Sequence, residues 1–108
     1  MQPRTSERFR YRVRVFFAGI ENDVEGEGTV ADLSKGGCRI ESETQPPIGT
    51  EVKLSLFMPD FSWPMKVDRA AVQWVKGETF GVRFLSLQSA QQERLTRCIM
   101  KLKQQAGY

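Results

Sequence analysis

Arg4, Arg8, Arg10, Arg12 and Arg14 fall within the first fourteen positions against a single acid, Glu7, and a later stretch reads Asp32-Leu33-Ser34-Lys35-Gly36-Gly37. The arginine cluster is a local anion-binding signal. Each guanidinium offers a planar fork of donors that matches phosphate oxygens and the O6/N7 edge of guanine. A carboxylate such as that of Asp32 suits guanine's other edge, where N1 and N2 present N–H donors. Arginine and aspartate together therefore select a guanine nucleotide. Ser34 adds a short hydroxyl, and Gly36 and Gly37 permit positive φ and close approach of backbone N–H groups to a ligand. Each pattern alone has a plainer explanation. Basic termini are commonly solvated or bind nucleic acid loosely, and Asp-x-Ser-x-x-Gly is commonly a hairpin corner with an Asx-type hydrogen bond. Their conjunction in one short chain favours the ligand.

Composition removes other chemistries. The chain has no histidine, and its two cysteines, Cys38 and Cys98, are sixty positions apart. The usual general base is missing and an ordinary zinc site cannot be completed, so neither an enzyme nor a metal or other cofactor is expected. The cysteines read as small, buried, reduced residues. Hydrophobic residues at 40% and charged residues at 27% are ordinary for a folded domain. The longest apolar run, Val13 to Ile20, is interrupted by Arg14 and Gly19 and is too short to cross a bilayer. No membrane insertion is expected. The N-terminus lacks the apolar block of a secretory signal, which predicts a cytoplasmic location.

The elements that must position these residues follow from periodicity. Residues 1–11 are polar and basic with no apolar period and are expected to form a flexible arm; residues 12–108 are expected to form a single domain. From Arg12 the pattern alternates, with Val13, Val15 and Phe17 on one face and Arg14 and Phe16 on the other. The acidic, glycine-bearing stretch Glu21 to Gly28 predicts a hairpin turn into a strand that runs to Leu33. Further strands are expected at Cys38 to Glu41, Val52 to Met58, Met65 to Val75 and Thr79 to Phe84. In the fifth, strict alternation puts Ala70, Val72 and Trp74 on one face. Leu95, Cys98, Ile99 and Leu102 then fall at i, i+3, i+4 and i+7, the stripe of a helix over 89–105, with Ser89 and Gln92 as a candidate capping box. Six short antiparallel strands and one C-terminal helix predict a mainly β fold, a small barrel with the helix plugging or flanking it.

The arm and the turn, in this order and at this separation, resemble the PilZ family, whose signature is Arg-x-x-x-Arg followed by Asp/Asn-x-Ser-x-x-Gly. The resemblance extends to the apolar strand Val13 to Phe17, to Trp74 in a late strand, to Gly81-Val82-Arg83-Phe84 and to the terminal helix. It implies a six-stranded split barrel that binds cyclic di-GMP through Arg8 and Arg12 of the arm and Asp32, Ser34 and Gly37 of the turn, with Arg10, Gly36 and Trp74 as further candidates. Trp74 on an apolar face is otherwise an ordinary core residue. Where many members carry another arginine just before the motif, this chain has Glu7. That departure implies one ligand per chain. The expected behaviour is an arm that orders on the ligand and signals by contact to an effector protein. Two alternatives stand beside it: a small basic barrel binding RNA or single-stranded DNA through the arm and exposed aromatics such as Phe16 or Trp74, and a PilZ-like adaptor that binds only proteins.

Overall fold

A computed structural model describes residues 13–58 and 63–105. It contains six strands, β1 (Val13–Gly19), β2 (Glu25–Leu33), β3 (Gly37–Glu41), β4 (Glu51–Phe57), β5 (Met65–Lys76) and β6 (Thr79–Ser86), followed by one helix, α1 (Ser89–Gln105). The strands pair antiparallel in the order β1-β2-β3-β6-β5-β4, and β4 returns to β1 to close the barrel. Closure leaves no strand edge exposed. Alternation in the sequence becomes inside and outside: Val13, Val15 and Phe17 of β1 are buried while Arg14 and Phe16 face out, and Val52, Leu54 and Leu56 of β4 follow suit. At the centre Phe17 and Phe80 meet edge to face, with ring centroids 5.2 Å apart, an arrangement that aligns the positive rim of one ring with the negative face of the other. Helix α1 adds Leu95 and Cys98 to this core and packs Ile99 against it. Arg94 ties the helix down by donating to the carbonyl of Trp63 at 2.8 Å.

Three local expectations are corrected. β2 begins at Glu25, so Gly26 and Gly28 lie inside a strand and not in a turn. They are there for close packing: a Cβ at Gly26 would come within 2.8 Å of the Phe17 ring, and one at Gly28 within 2.2 Å of the Glu41 carbonyl oxygen. The turn itself is confined to the preceding residues, closed by Gly19 N–H donating to Val24 O at 2.7 Å. The capping box does not form. Ser89 is already helical, the Gln92 N–H donates to the Gln88 carbonyl, and the Gln92 side chain donates to Leu87 O at 3.1 Å. The first helical residue is thus one place earlier than a Ser89 cap requires. Finally, Trp74 does not share a face with Ala70 and Val72. A β-bulge between Val72 and Trp74 inserts a residue and turns the indole outward, leaving Val75 to pack against the core.

Candidate functional site

The turn between β2 and β3 is the best-defined feature of the candidate site. The backbone N–H of Ser34 donates to Gly37 O at 2.9 Å and the Ser34 hydroxyl donates to the same carbonyl at 3.2 Å. Gly36 O accepts from the Phe84 N–H at 2.8 Å, which pins the turn to β6. Neither Gly36 nor Gly37 uses the positive φ open to glycine; among the described residues that conformation belongs to Gly49 and Gly77. Gly37 is required sterically instead. A Cβ there would lie 2.1 Å from the Val82 carbonyl oxygen of the neighbouring strand. At Gly36 a Cβ would meet nothing within 4 Å, so the space above that peptide is open.

A four-residue turn fixes the pairing beyond it. Leu33 faces Cys38, and Asp32 faces Arg39. Arg39 in turn faces Gly81 on β6, and Gly81 faces Trp74 on β5. Asp32, Arg39, Gly81 and Trp74 therefore form one row across the outer wall of four adjacent strands, spanning about 14 Å at the usual strand spacing. Gly81 is the floor of this row because the indole lies over it: a Cβ at that position would come 2.3 Å from Trp74 Nε1. The indole remains 40% exposed. Its outward position depends on the bulge described above, and it presents an aromatic surface beside a guanidinium and a carboxylate.

The charges in this row are unspent. Among the described residues Asp32, Arg39 and Arg83 have no ion pair, although Asp32 and Arg39 are cross-strand partners. Arg83 is opposite Gly37 and thus diagonal to Arg39, close enough to reinforce its positive field. Beneath the row the Cys38 thiol is pushed up to about 12, first by burial and then by the nearby Asp32 carboxylate. It is a neutral spacer at physiological pH and an unreactive one. Asp32, Ser34, Gly36, Gly37 and Trp74 line a single concavity of about 350 Å³, together with Arg39, Gln73 and Gly81. The concavity therefore gathers five of the residues singled out from sequence. Arg8, Arg10 and Arg12 lie outside the described residues. Arg39, Gln73, Gly81 and Arg83 were missed; Arg39 was recoverable, because a turn closed between Ser34 and Gly37 obliges residue 32 to pair with residue 39.

A PilZ domain family model matches residues 2–101. The chain belongs to the PilZ domain family. The match runs from the basic arm through the turn and the barrel into α1. The barrel is similar to the crystal structure of the PilZ domain of CeSA from a cellulose-synthesizing bacterium, with a TM-score of 0.67 and 15% identity over 86% of this chain and 94% of that one. At that identity the likeness speaks for the PilZ fold. No curated protein matches the chain. PilZ domains are receptor and adaptor modules for cyclic di-GMP, built for binding and not for catalysis. Among the described residues no acid, sulfur or imidazole cluster could hold a metal ion, and no helix is long and apolar enough to cross a membrane.

Proposed function

We propose that this PilZ domain binds cyclic di-GMP in the concavity beside the Ser34–Gly37 turn and passes the signal to an effector protein by contact. The observation that carries the reading is the row of Asp32, Arg39 and Trp74, a carboxylate and a guanidinium without ion-pair partners beside an exposed indole. Asp32 accepts from the N1–H and N2–H edge of one guanine, and Arg39 donates to a phosphate or to O6/N7. Trp74 offers a face on which a base stacks. The open space at Gly36 admits the ligand to the turn's backbone. Arg8 and Arg12, with Arg10, close over the nucleotide from the arm, and the ordered arm is the surface an effector reads. Arg14 supports the choice of Arg8 and Arg12 as the pair, since its own guanidinium is engaged with Glu27 at 2.9 Å on the wall of β1 and β2. The site needs no cofactor, and a cytoplasmic location fits a ligand made and degraded inside the cell.

Calorimetry with cyclic di-GMP and cyclic di-AMP tests the reading. The guanine ligand should bind at least about tenfold more tightly, a gap of roughly 1.4 kcal/mol, with one ligand per chain because Glu7 repels the phosphates of a second. Equal affinities for the two ligands would refute guanine selection. A steep loss of affinity with salt together with equal binding to single-stranded oligonucleotides would instead support a nucleic-acid-binding barrel.

A further inference from the structure

The outer wall of β1 and β4, away from the candidate site, carries an aromatic pair that the ligand reading does not use. Phe16 and Phe57 are each 45% exposed. Phe16 faces Ser55 and Phe57 faces Arg14, so the two rings are diagonal neighbours on one face, about 7 to 8 Å apart at their origins. Water-facing walls of small barrels are ordinarily polar, and adjacent exposed aromatics on such a wall mark a contact surface.

The charges around the pair say what covers it. On the β2 side stand Glu25 and Glu27, opposite Ala18 and Phe16. On the other side stand Lys53, opposite Ala18, and Lys66, opposite Ser55. The middle row across β2, β1, β4 and β5 thus reads Glu27, Phe16, Ser55, Lys66: an acid, a ring, a small residue and a base. Glu27 also holds Arg14 of its own chain at 2.9 Å, an exposed pair that leaves its second carboxylate oxygen open, while Arg69 pairs with Glu51 and Asp68 accepts from the Gln88 side chain at 3.3 Å. Neither Lys53 nor Lys66 has an acidic partner among the described residues.

We infer that this wall is the contact face of a two-fold homodimer. A two-fold axis parallel to the strands and lying between β1 and β4 reverses the order of the row in the second copy. Glu27 then faces Lys66 of the partner subunit, and Phe16 covers Ser55 of the partner subunit. In the next row Phe57 lies over Arg14 of the partner subunit, a cation–π arrangement. An isologous interface requires one surface that complements itself, and a row with acid at one end and base at the other meets that requirement. The same acids disfavour a polyanion: a nucleic acid strand or an anionic membrane laid on the rings would meet Glu25 and Glu27. Two convex walls touch over about three outward-facing residues on each of four strands, a footprint of about 400 Å² per partner, half of the roughly 800 Å² typical of stable complexes. The dimer is therefore weak and reversible.

Sedimentation equilibrium of the full chain, without cyclic di-GMP and from about 5 to 500 µM, tests this independently of ligand binding. A monomer–dimer equilibrium is expected, weaker at high salt. The Phe16→Ser/Phe57→Ser double variant should keep its melting temperature, since both rings are on the outside, and weaken dimerisation at least about tenfold. Glu27→Lys and Lys66→Glu should each be largely monomeric alone, because each sets like charges against each other twice. An equimolar mixture of these two variants should dimerise again, because every facing pair is then opposite in sign. A chain that stays monomeric over the whole range, a dimer indifferent to loss of both rings, or a mixture no more associated than its components overturns the inference.

Discussion

Replacing Arg39 by alanine separates the cost of folding from the cost of binding, because the residue is exposed and has no ion pair among the described residues. Its loss from the barrel removes only solvated surface, so folding stability should change by no more than about 0.5 kcal/mol. Its loss from the complex removes a charge-assisted contact to a bound nucleotide, worth roughly 1.5 to 3 kcal/mol. That corresponds to an affinity for cyclic di-GMP about 10- to 150-fold lower. Arg14→Ala is the matched control. It deletes the same charge from the same barrel, but from a guanidinium held by Glu27 at 2.9 Å, and should weaken binding less than about twofold. Calorimetric titration of both variants in about 0.15 M salt, with thermal unfolding in parallel, reads out both quantities. Wild-type affinity in Arg39→Ala would refute the assignment of Arg39 to the site. Equal losses in the two variants would show that only the net charge of the barrel matters.

Three further outcomes are expected. Arg8→Ala and Arg12→Ala should each reduce cyclic di-GMP affinity more than about tenfold, whereas Arg4→Ala should be mild; titration of the folded variants checks this, and a mild Arg8→Ala would discard that pair. Gly37→Ala should lower the melting temperature by roughly 5 to 15 °C, because its Cβ would be driven to within 2.1 Å of the Val82 carbonyl oxygen; an unchanged melting curve would show that the turn relaxes freely. The Cys38 thiol, pushed up to about 12 by burial and by Asp32, should resist a thiol reagent at pH 8 in the folded protein and react once the chain is unfolded. Because its folded value is raised, its contribution to stability is complete below the ordinary thiol value near 9 and falls away as pH climbs towards 12; denaturant midpoints measured across that window should decline, and a flat profile would contradict the burial of the thiol.

Local signals in the sequence determined the elements and half of the candidate site. Period-two alternation in β1 and β4 was enough to assign Val13, Val15, Phe17, Val52, Leu54 and Leu56 to the inside, because side chains on a strand must point to opposite faces. The Asp32 to Gly37 turn was legible as a unit because its residues are neighbours in the chain, and the order of arm and turn was legible for the same reason. Glycine is illegible where its role is non-local. Gly26, Gly28 and Gly37 are needed for the approach of Phe17, Glu41 and Val82, contacts that exist only after distant strands pair. The row Asp32, Arg39, Gly81 and Trp74 likewise depends on three separate strand registers. One of them includes a bulge between Val72 and Trp74 that no period in the sequence announces. Local periodicity can say which residues alternate, but a single inserted residue reverses the face of everything beyond it. Only the closed barrel decides that Trp74 stands outside beside Arg39 and not within the core.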